Sequence, residues 1–435
     1  MSIPELYSIF QQHPVISIDN RNCPLGCLFF ALKGDNFNAN AFALSALEKG
    51  ASYAVIDEKE FAIDNRFILV DNVLNSLQDL ARYHRQQLGT TIIGITGTNG
   101  KTTTKELIAA VLMQQFNILY TQGNLNNHIG VPLTLLKLLP EHELAVVEMG
   151  ANHQGEIKTL AEIACPDYGI ITNVGKAHLE GFGSFEGVMA TKSELYQNIF
   201  SNGKKIFVNA GNAHLTEMAS KSGFTNDLQI CKYSLIADDR VTVKGSVVSC
   251  SPFLELKCST GAESFVVKTK LIGTYNAENV LAAVAIGHFF GVSDAEIKTG
   301  LENYIPQNNR SQLTVTEQNK LVVDAYNANP TSMRAAIVNF GQMEVENKML
   351  ILGDMLELGN QSASEHQAIV DLLESYGLKN VYLIGKLFEQ TSNKYICYQT
   401  VEQLIPVLEQ NPVSNHYVLI KGSRGIKLEK VLSYL

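Results

Sequence analysis

The segment with the clearest chemical signature is GITGTNGKTTTK, residues 94–105, which lies between an apolar run and a helical pattern. Gly97 and Gly100 allow backbone amides to turn inward around phosphate oxygens. Lys101 adds a positive charge for the terminal phosphates, and the Thr102 hydroxyl can hold magnesium. The pattern predicts a phosphate-binding loop.

This phosphate loop is a variant. Glycine is usual five residues before the Gly-Lys pair, but that position is Ile95, with Gly94 and Gly97 on either side of it. The alternative is a glycine-rich turn between a strand and a helix. We favour the phosphate loop because Gly-Lys-Thr stands in the strand-loop-helix context that phosphate binding requires.

An acidic residue follows at the end of the next apolar run, LAVVEMG, where Glu148 is predicted to close a strand. A carboxylate at the carboxyl edge of a strand beside a phosphate loop can bind magnesium or orient it through water. The alternative is an ordinary acid at a strand end. Because no Asn-Lys-x-Asp segment for reading guanine follows, we expect the nucleotide to be ATP.

Two further residues follow along the chain. The segment TNVGKAHLEGFGS comes after another predicted strand and places Asn173 and His178 on the same rim of the sheet. Taken alone, His178 reads as a hydrogen-bonded loop histidine, and Lys192 in ATKSELY reads as a solvated lysine. Their types and positions alone assign them no chemistry.

The elements that must position these residues repeat as strand and helix, which predicts an α/β protein with three domains. Residues 1–88 form a small α/β unit, and residues 89–306 a parallel sheet that carries the phosphate loop. That sheet has a short antiparallel excursion between about 228 and 272, where the pattern is rich in strands. Residues 307–435 repeat the rhythm as a second, Rossmann-like sheet, after a polar boundary at PQNNRSQ.

Composition limits the remaining choices. The chain has 435 residues, 46% of them hydrophobic and 18% charged, which is typical of a folded protein. The 34 basic and 43 acidic residues argue against a broad nucleic-acid or anionic-membrane surface but leave room for a local basic pocket. No secretory signal or stretch long enough to span a bilayer is evident. Seven scattered cysteines fit reduced thiols, and we expect a cytoplasmic protein without stable membrane insertion.

Several long strings together carry a resemblance to a known family. They are the phosphate loop, EMGANHQGEI, TNVGKAHLEGFGS and DAYNANPTSM, in this order, with IDNRNCPLGCLFFALKG, GNLNNHIGVPLTLL, LGDMLELG and VLIKGSRGIKLEKV. The sequence resembles the Mur ligase family over nearly its whole length. The resemblance implies a UDP-substrate domain, a central ATPase domain and a C-terminal Rossmann-like ligase domain, in the order that the periodicity predicts.

The resemblance also implies roles for residues that are unremarkable alone. Lys192 is similar to the lysine that the family carbamoylates, whose new carboxylate helps to hold a second magnesium with His178. Arg310 is similar to the arginine that meets the γ-phosphate, although in isolation it reads as a linker arginine. The implied catalytic residues are thus Lys101, His178, Lys192 and Arg310, and the implied metal ligands are Thr102, Glu148, His178 and carbamoylated Lys192.

The remaining implied contacts fall into two sets. The nucleotide set is Gly97, Thr98, Asn99, Gly100, Lys101, Thr102, Thr103, Asn276, Asn279, Arg310 and Asp324. Within it, Asn276 and Asn279 resemble adenine contacts, although either could instead cap a helix. Asp324 resembles a carboxylate at the ribose.

The substrate set divides by ligand. The UDP end is assigned to Asn20, Arg21, Lys33 and Gly34. The incoming dipeptide is assigned to Tyr326, Asn327 and Asn329, which could instead only stabilise the turn before Pro330. Substrate contacts are also expected from Asn124, Asn126 and Asn127, and carboxylate contacts from Lys421, Ser423 and Arg424, which are predicted to begin a helix.

The resemblance implies ATP-dependent, ADP-forming ligation of D-alanyl-D-alanine to UDP-N-acetylmuramoyl tripeptide, with ATP and Mg²⁺, by a monomer. Another amide ligase of the superfamily is the first alternative, either a muramyl tripeptide synthetase or a folylpolyglutamate synthetase. A nucleotide switch is the second. Tyr275, Val323 and Asn20 depart from residues frequent in relatives, which affects fine nucleotide and uridine contacts rather than the reaction class.

Overall fold

The computed structural model describes residues 1–201, 204–236, 241–261, 263–307 and 310–435. The strands are β1 Ile16–Ser17, β2 Leu28–Phe30, β3 Lys33–Gly34, β4 Phe37–Asn38, β5 Tyr53–Ile56, β6 Phe67–Leu69, β7 Thr91–Thr96, β8 Ile118–Tyr120, β9 Leu144–Glu148, β10 Tyr168–Ile171, β11 Lys205–Asn209, β12 Ile230–Ser234, β13 Val243–Cys250, β14 Phe253–Ser259, β15 Ser264–Ile272, β16 Gln312–Val315, β17 Lys320–Asp324, β18 Lys348–Gly353, β19 Val381–Ile384, β20 Ile396–Tyr398 and β21 Tyr417–Lys421. The α-helices are α1 Ile3–Gln12, α2 Ala43–Glu48, α3 Val73–Leu88, α4 Lys101–Leu112, α5 Gly130–Leu135, α6 Glu156–Ala164, α7 Leu179–Phe182, α8 Phe185–Ser201, α9 Ala213–Lys221, α10 Ala277–Phe289, α11 Asp294–Asn303, α12 Pro330–Gln342, α13 Ser362–Ser375, α14 Lys386–Glu389 and α15 Val401–Gln410.

Three main sheets follow one another along the chain. The first is a four-stranded parallel sheet in the order β1-β2-β5-β6, with a separate hairpin of β3 and β4 beside it. The third has six strands in the order β16-β17-β21-β18-β19-β20, parallel except for β16. The predicted α/β class with three sheet-based units is confirmed, while the boundaries at 88/89 and 306/307 stay predictions.

The central sheet carries the phosphate loop. Its nine strands run in the order β15-β14-β13-β12-β11-β10-β7-β9-β8. Strands β12 to β8 are parallel, as are β12 and β13, whereas β13, β14 and β15 pair antiparallel. The predicted antiparallel excursion on a parallel sheet is therefore confirmed. Because β7 lies between β9 and β10, loops after all three strands meet at one edge.

Helix α3 is an element that the sequence interpretation did not include. Its buried residues Val73, Leu77, Leu80, Ala81 and His84 recur at helical spacing. The helix ends at Gly89, whose φ of 66° gives a left-handed C-cap. Residues of α3 share one hydrophobic cluster with the first sheet and with one face of the central sheet, so the first two units are packed through a common core.

One local prediction at the C-terminus is wrong. Lys421 is the last residue of β21, and the chain after it forms two 3₁₀ helices, Arg424–Ile426 and Leu428–Tyr434, rather than an α-helix. Residues 421–424 therefore offer no helix N-terminus for an anion. The backbone at Ser423 is instead held by the loop after β18, because Ser423 N–H donates to the Asp354 carbonyl at 3.1 Å.

Two predictions from composition can be compared with the structure. All seven cysteines are free, as their scatter predicts. Among the described residues, no helix combines the length and apolar character needed to cross a bilayer. The polar boundary PQNNRSQ lies partly outside the described residues, since Asn308 and Asn309 are not among them.

Candidate active site

The loop after β7 adopts a shape that only glycine permits at two positions. Gly97 has φ of 146°, and a Cβ there would lie 2.0 Å from Thr172 Oγ1. Gly100 has φ of 74°, and a Cβ there would lie 2.6 Å from Asn279 Oδ1. Both residues combine a backbone conformation that side chains rarely adopt with a close neighbour. The loop is therefore shaped as a phosphate loop requires, leading directly into α4.

The loop after β10 fixes the phosphate loop from one side. Thr98 N–H donates to the Asn173 carbonyl at 3.0 Å. Asn99 N–H donates to Asn173 Oδ1 at 2.9 Å, and Asn173 Nδ2 returns a bond to the Asn99 carbonyl at 3.1 Å. Asn173, which the sequence placed on the rim, thus holds the backbone of residues 98–99.

Two cations are near each other at this loop. Lys101 Nζ donates to the carbonyls of Gly97 at 2.9 Å and Thr98 at 3.0 Å. Burial lowers the pKa of Lys101 to about 8, Glu148 opposes this shift, and Arg310 adds to it by repulsion. Positive charge is therefore gathered at the place where a nucleotide's terminal phosphates would lie.

Glu148 lies under the start of α4, at the end of β9. Its Oε1 accepts hydrogen bonds from Thr102 Oγ1 at 3.1 Å and from Asn126 Nδ2 at 2.7 Å. Its Oε2 is buried without a hydrogen-bond partner, and Lys105 Nζ stands 3.8 Å away from it. An unsatisfied carboxylate oxygen beside a threonine hydroxyl is a donor set suited to Mg²⁺.

His178 meets the C-terminal unit across the site. It occupies the position before α7 with φ of 49°, and its ring lies edge-on to Phe182. Its Nδ1 lies against the carboxylate of Glu357, a contact that is an ion pair only when the imidazole is protonated, and Glu357 itself has φ of 64°. Burial lowers the pKa of His178, while Glu357 opposes that shift. Two residues in the left-handed region thus face each other across the two units.

Lys192 is buried on α8, with 2% of its surface exposed. Its Nζ lies 5.3 Å from the centre of the Phe182 ring. Burial lowers the pKa of Lys192 to about 7, Lys101 lowers it further, and Glu156 and Glu194 oppose the shift. A large fraction of this amine is therefore neutral near pH 7, which is the form that can react with carbon dioxide.

A cavity of about 1370 Å³ joins the central and C-terminal units at this edge. Of the predicted nucleotide residues, those that line it are Thr98, Asn99, Gly100, Lys101, Thr102, Thr103, Asn276, Asn279, Arg310 and Asp324. Of the predicted metal and substrate residues, those that line it are Glu148, His178, Asn124, Asn126, Asn127, Tyr326, Asn327, Asn329 and Lys421. Most of the predicted set, drawn from distant parts of the chain, thus faces one space.

The two asparagines near α10 do not cap that helix with their side chains. Asn276 occupies the N-cap position, but its Nδ2 donates back to the Ile272 carbonyl at 2.8 Å. Asn279 Nδ2 donates to Asn276 Oδ1 at 2.9 Å, and Asn279 Oδ1 accepts from Thr104 at 3.0 Å. The pair therefore forms part of the wall behind the phosphate loop.

Asp324 and Lys421 are partners of each other. Lys421 Nζ is 2.6 Å from Asp324 Oδ2, and it also donates to the Asn327 carbonyl at 3.4 Å. The lysine is 1% exposed. The two neighbouring parallel strands β17 and β21 place these side chains together, so the predicted ribose contact and the predicted carboxylate contact belong to one ion pair.

Asn329 joins the two units directly. Its Oδ1 accepts from Ser332 N–H at 2.9 Å and so caps the N-terminus of α12. Its Nδ2 donates to Asn99 Oδ1 in the phosphate loop at 2.7 Å. One amide therefore caps the start of a helix and contacts the phosphate loop at the same time.

The residues assigned to the UDP end lie away from this cavity, in the first unit. Arg21 pairs with Asp19 at 2.8 Å, and Lys33 pairs with Asp57 at 2.9 Å and with Glu58 at 2.7 Å. Asn20 accepts a bond from Lys49 through its carbonyl, and Gly34 ends β3. None of these four predicted residues lines the cavity, and their assignment stays a prediction.

Among the predicted residues, Gly97, Lys192, Ser423 and Arg424 also do not line the cavity. Gly97 packs against Thr172 at the start of the phosphate loop. Ser423 joins the loop after β18 to the loop after β17. Ser423 Oγ accepts from Leu356 N–H at 2.9 Å and donates to the Ala328 carbonyl at 3.3 Å. Ser423 is buried, so its observed contacts are structural.

The sequence interpretation missed several residues at this site. Lys105 follows Lys101 by four residues in α4, a spacing that could have shown it on the same side as Glu148. Lys176 and Glu365 pair at 2.7 Å across the central and C-terminal units. No local pattern signals such a pair, because its members are 189 residues apart.

Comparison with known proteins places these observations in a family. Residues 95–287 match the Mur ligase middle domain, and residues 309–424 match the Mur ligase glutamate ligase domain. The chain is 34% identical to UDP-N-acetylmuramoyl-tripeptide--D-alanyl-D-alanine ligase of Bacillus subtilis, over 97% of this chain and 92% of that one. It is 35% identical to the Escherichia coli protein of the same name, over 97% and 93% of the two chains.

A solved structure agrees with the sequence relatives over the whole fold. The MurF ligase of Thermotoga maritima in complex with ADP is 25% identical, with a TM-score of 0.85 over 97% of this chain and 96% of that one. The family domains, the full-length relatives and the shared fold lead to the same conclusion. The chain belongs to the Mur ligase family.

Proposed function

We propose that this chain is an ATP-dependent ligase that joins D-alanyl-D-alanine to UDP-N-acetylmuramoyl tripeptide and releases ADP and phosphate. The observation that carries the proposal is the shared cavity, which the phosphate loop and the loop around Asn329 line together. A ligase must bring a nucleotide and two substrates to one space. Relatives that cover 97% of the chain are named for this reaction.

ATP as the nucleotide is supported by the form of the loop and by the ADP complex of the Thermotoga maritima relative. Lys101 and Arg310 are the cations that we assign to the terminal phosphates. Asn276, Asn279 and Asp324 are assigned to the base and ribose side of the same cavity. Lys421, paired with Asp324, would fix the carboxylate's position there.

Binding of Mg²⁺ is supported by Glu148, whose Oε2 is buried and has no hydrogen-bond partner. The described residues contain no cluster of three or more His, Cys, Asp or Glu side chains that could hold a metal. Mg²⁺ is commonly held by one or two carboxylates together with substrate phosphates and water, and Thr102 with Glu148 fits that pattern. When bound, the metal would neutralise charge on the phosphate oxygens.

The chain's own residues would act on a carboxylate that is a poor electrophile until phosphorylated. Lys101 and Arg310 would stabilise the negative charge on the transferred phosphoryl group. The resulting acyl phosphate has a better leaving group, which the amine of D-alanyl-D-alanine displaces. Contacts between the central and C-terminal units, through Asn99 with Asn329 and Lys176 with Glu365, would exclude water from the intermediate.

Lys192 is proposed to carry a carbamate. Its buried, partly neutral amine supports this chemistry, because a neutral amine attacks carbon dioxide and the product is an anion. With His178 it would supply the ligands for a second magnesium. The assignments of the UDP end to Asn20, Arg21, Lys33 and Gly34, a monomeric state and a cytoplasmic location complete the proposal.

Mass spectrometry tests the reaction. The chain is incubated with ATP, Mg²⁺, D-alanyl-D-alanine and UDP-muramoyl tripeptide containing either lysine or diaminopimelate. We expect a product heavier by one dipeptide less water, with one ADP per product. Lys101→Ala should remove the product, whereas Lys137→Ala, an exposed lysine outside the cavity, should retain it.

Two rival functions predict different results in the same assay. Another ligase of this superfamily would release ADP with free glutamate or a diamino acid but not with D-alanyl-D-alanine. A nucleotide switch would bind ATP with no release of ADP that depends on a substrate. Either result would overturn the proposed reaction.

A further inference from the structure

The side chain of Arg310 lies against an aromatic ring. Its guanidinium carbon is 3.7 Å from the centre of the Tyr326 ring. The guanidinium of Arg424 is 5.6 Å from the same centre. A planar guanidinium stacks well on an aromatic face, and the attraction is largest where water is excluded. Tyr326 is half-buried in the cavity wall, so its contact with Arg310 is partly shielded.

Stacking restrains Arg310 without using its hydrogen-bond donors. The five N–H groups of a guanidinium lie in its plane, whereas the contact with a ring uses its face. Arg310 Nε is buried without a hydrogen-bond partner. Within the described ranges no carboxylate forms an ion pair with Arg310, in contrast to Arg85, which pairs with Asp167 at 2.7 Å. A buried, unsatisfied donor is costly unless an anion joins it.

The ring itself is held firmly by the C-terminal unit. Tyr326 follows β17, and the chain on either side of it is held by Lys421, which pairs with Asp324 and also contacts the Asn327 carbonyl. Arg310 belongs to the same unit, two residues before β16, and β16 pairs with β17. The pairing of these two strands therefore brings the ring to the arginine, while Asn329 of the same loop as Tyr326 contacts Asn99.

We propose that Tyr326 is a positioning residue that holds the guanidinium plane of Arg310 toward the terminal phosphate of the nucleotide. The inference rests on the proposed function, because that function supplies the γ-phosphate. It also gives the Tyr326 ring a role other than the dipeptide contact predicted from sequence, and it leaves the hydroxyl for that contact. The ring would select ATP over ADP indirectly, since only ATP presents the anion that the oriented arginine meets.

Calorimetric titration with ADP and with a nonhydrolysable ATP analogue, both with Mg²⁺, tests this role. The measured quantity is the ratio of the two affinities. Tyr326→Phe keeps the ring and should keep the ratio within about twofold. Tyr326→Leu removes the stacking and should lower the preference for the analogue by about fivefold to thirtyfold, the range typical of a shielded contact of this kind. ADP affinity should stay unchanged.

Tyr417→Leu is the matched control. It also removes a tyrosine that stacks with a cation, since Lys320 Nζ lies 5.0 Å from the Tyr417 ring centre, but neither residue lines the cavity. The control should leave the ratio unchanged. If Tyr326→Leu keeps the wild-type ratio, or weakens ADP and the analogue equally, the positioning role is wrong. Unfolding midpoints of all variants identify any loss that comes from misfolding.

A double substitution separates positioning from other effects. If the ring acts through Arg310, Tyr326→Leu should change the ratio little when Arg310→Ala is already present, whereas full additivity of the two effects would overturn the inference.

ADP release that depends on D-alanyl-D-alanine is measured on the same wild-type preparation. Its absence together with normal analogue preference would refute the proposed function and leave the arginine contact intact. Normal turnover with an unchanged ratio in Tyr326→Leu would refute only the inference.

Discussion

The two hydrogen bonds of the Asn329 side chain can be separated by substitution. Its Oδ1 caps α12 through Ser332 N–H, and its Nδ2 donates to Asn99 Oδ1 at 2.7 Å. Asn329→Ser should keep the cap, because serine and asparagine cap helices about equally well. The shorter side chain should lose the bond to Asn99. Asn329→Ala should lose both.

The expected magnitudes follow from these bonds. The reverse bond from Asn99 Nδ2 to Asn329 Oδ1 is 3.5 Å long, so only the shorter bond is counted. One amide hydrogen bond contributes about 1 kcal/mol. Lost between Asn329 and Asn99, it should change by about fivefold the ratio of closed arrangements, in which the loops of the central and C-terminal units are in contact, to open ones, in which they are apart. Loss of the cap adds about 1 kcal/mol to the destabilisation of folding. Asn329→Ser should therefore affect mainly closure, and Asn329→Ala should affect closure and folding.

Urea unfolding followed by circular dichroism reports the cap, and small-angle X-ray scattering with a bound ATP analogue reports the closed fraction. Asn72→Ala provides the control, because Asn72 caps α3 through Asn75 N–H at 2.8 Å and is exposed. That variant should lose about 1 kcal/mol of folding free energy with no change in closure. A closed fraction for Asn329→Ser equal to that of the wild type would refute the view that this contact holds the two units together.

Three shorter predictions test other parts of the site and core. Lys192→Ala should abolish most ligation, measured as ADP release, and excess formate should restore part of it; wild-type rates would refute the carbamate role. Gly97→Ala should lower nucleotide affinity at least tenfold, because its Cβ meets Thr172 Oγ1 at 2.0 Å, while Gly89→Ala, where a Cβ meets nothing within 4 Å, should leave affinity unchanged. Burial lowers the pKa of His84 below its ordinary 6.5, so the unfolded chain binds more protons and the free energy of unfolding should fall as pH drops through about 6.5 and below. His84→Gln should make that fall shallower in urea titrations, and an identical slope would contradict the assignment.

Local patterns were enough to predict the strands and helices that carry most of the site. The alternation around residues 91–112 predicts a strand, a turn and a helix without any knowledge of the rest of the chain. The same applies to the antiparallel excursion, where strand-forming residues follow one another between 243 and 272. Helix α3 was missed although its buried positions recur at helical spacing, so the signal was present and was not used. The helix predicted at Ser423 failed because tertiary contacts hold that segment as a 3₁₀ turn.

The chemistry of the individual residues can also be inferred from the sequence without the structure. Glycine, lysine and threonine in the phosphate loop, and a carboxylate at the end of β9, have properties that follow from their covalent structure. Which residues they contact in the folded protein does not follow from covalent structure. Asn99 and Asn329 are 230 residues apart, and Arg310 meets Tyr326 because β16, which follows the arginine, pairs with β17, which precedes the tyrosine.

The amino-acid sequence by itself determined most of the local conformations, the kind of chemistry and the family. Only the tertiary structure decided that Lys421 neutralises Asp324, that Asn329 both caps a helix and contacts the phosphate loop, and that an aromatic ring lies against Arg310. The physical reason is range: backbone preferences and hydrophobic periodicity act over a few residues, whereas the first and third contacts depend on strand order within the C-terminal sheet, and the contact of Asn329 depends on how two packed units dock.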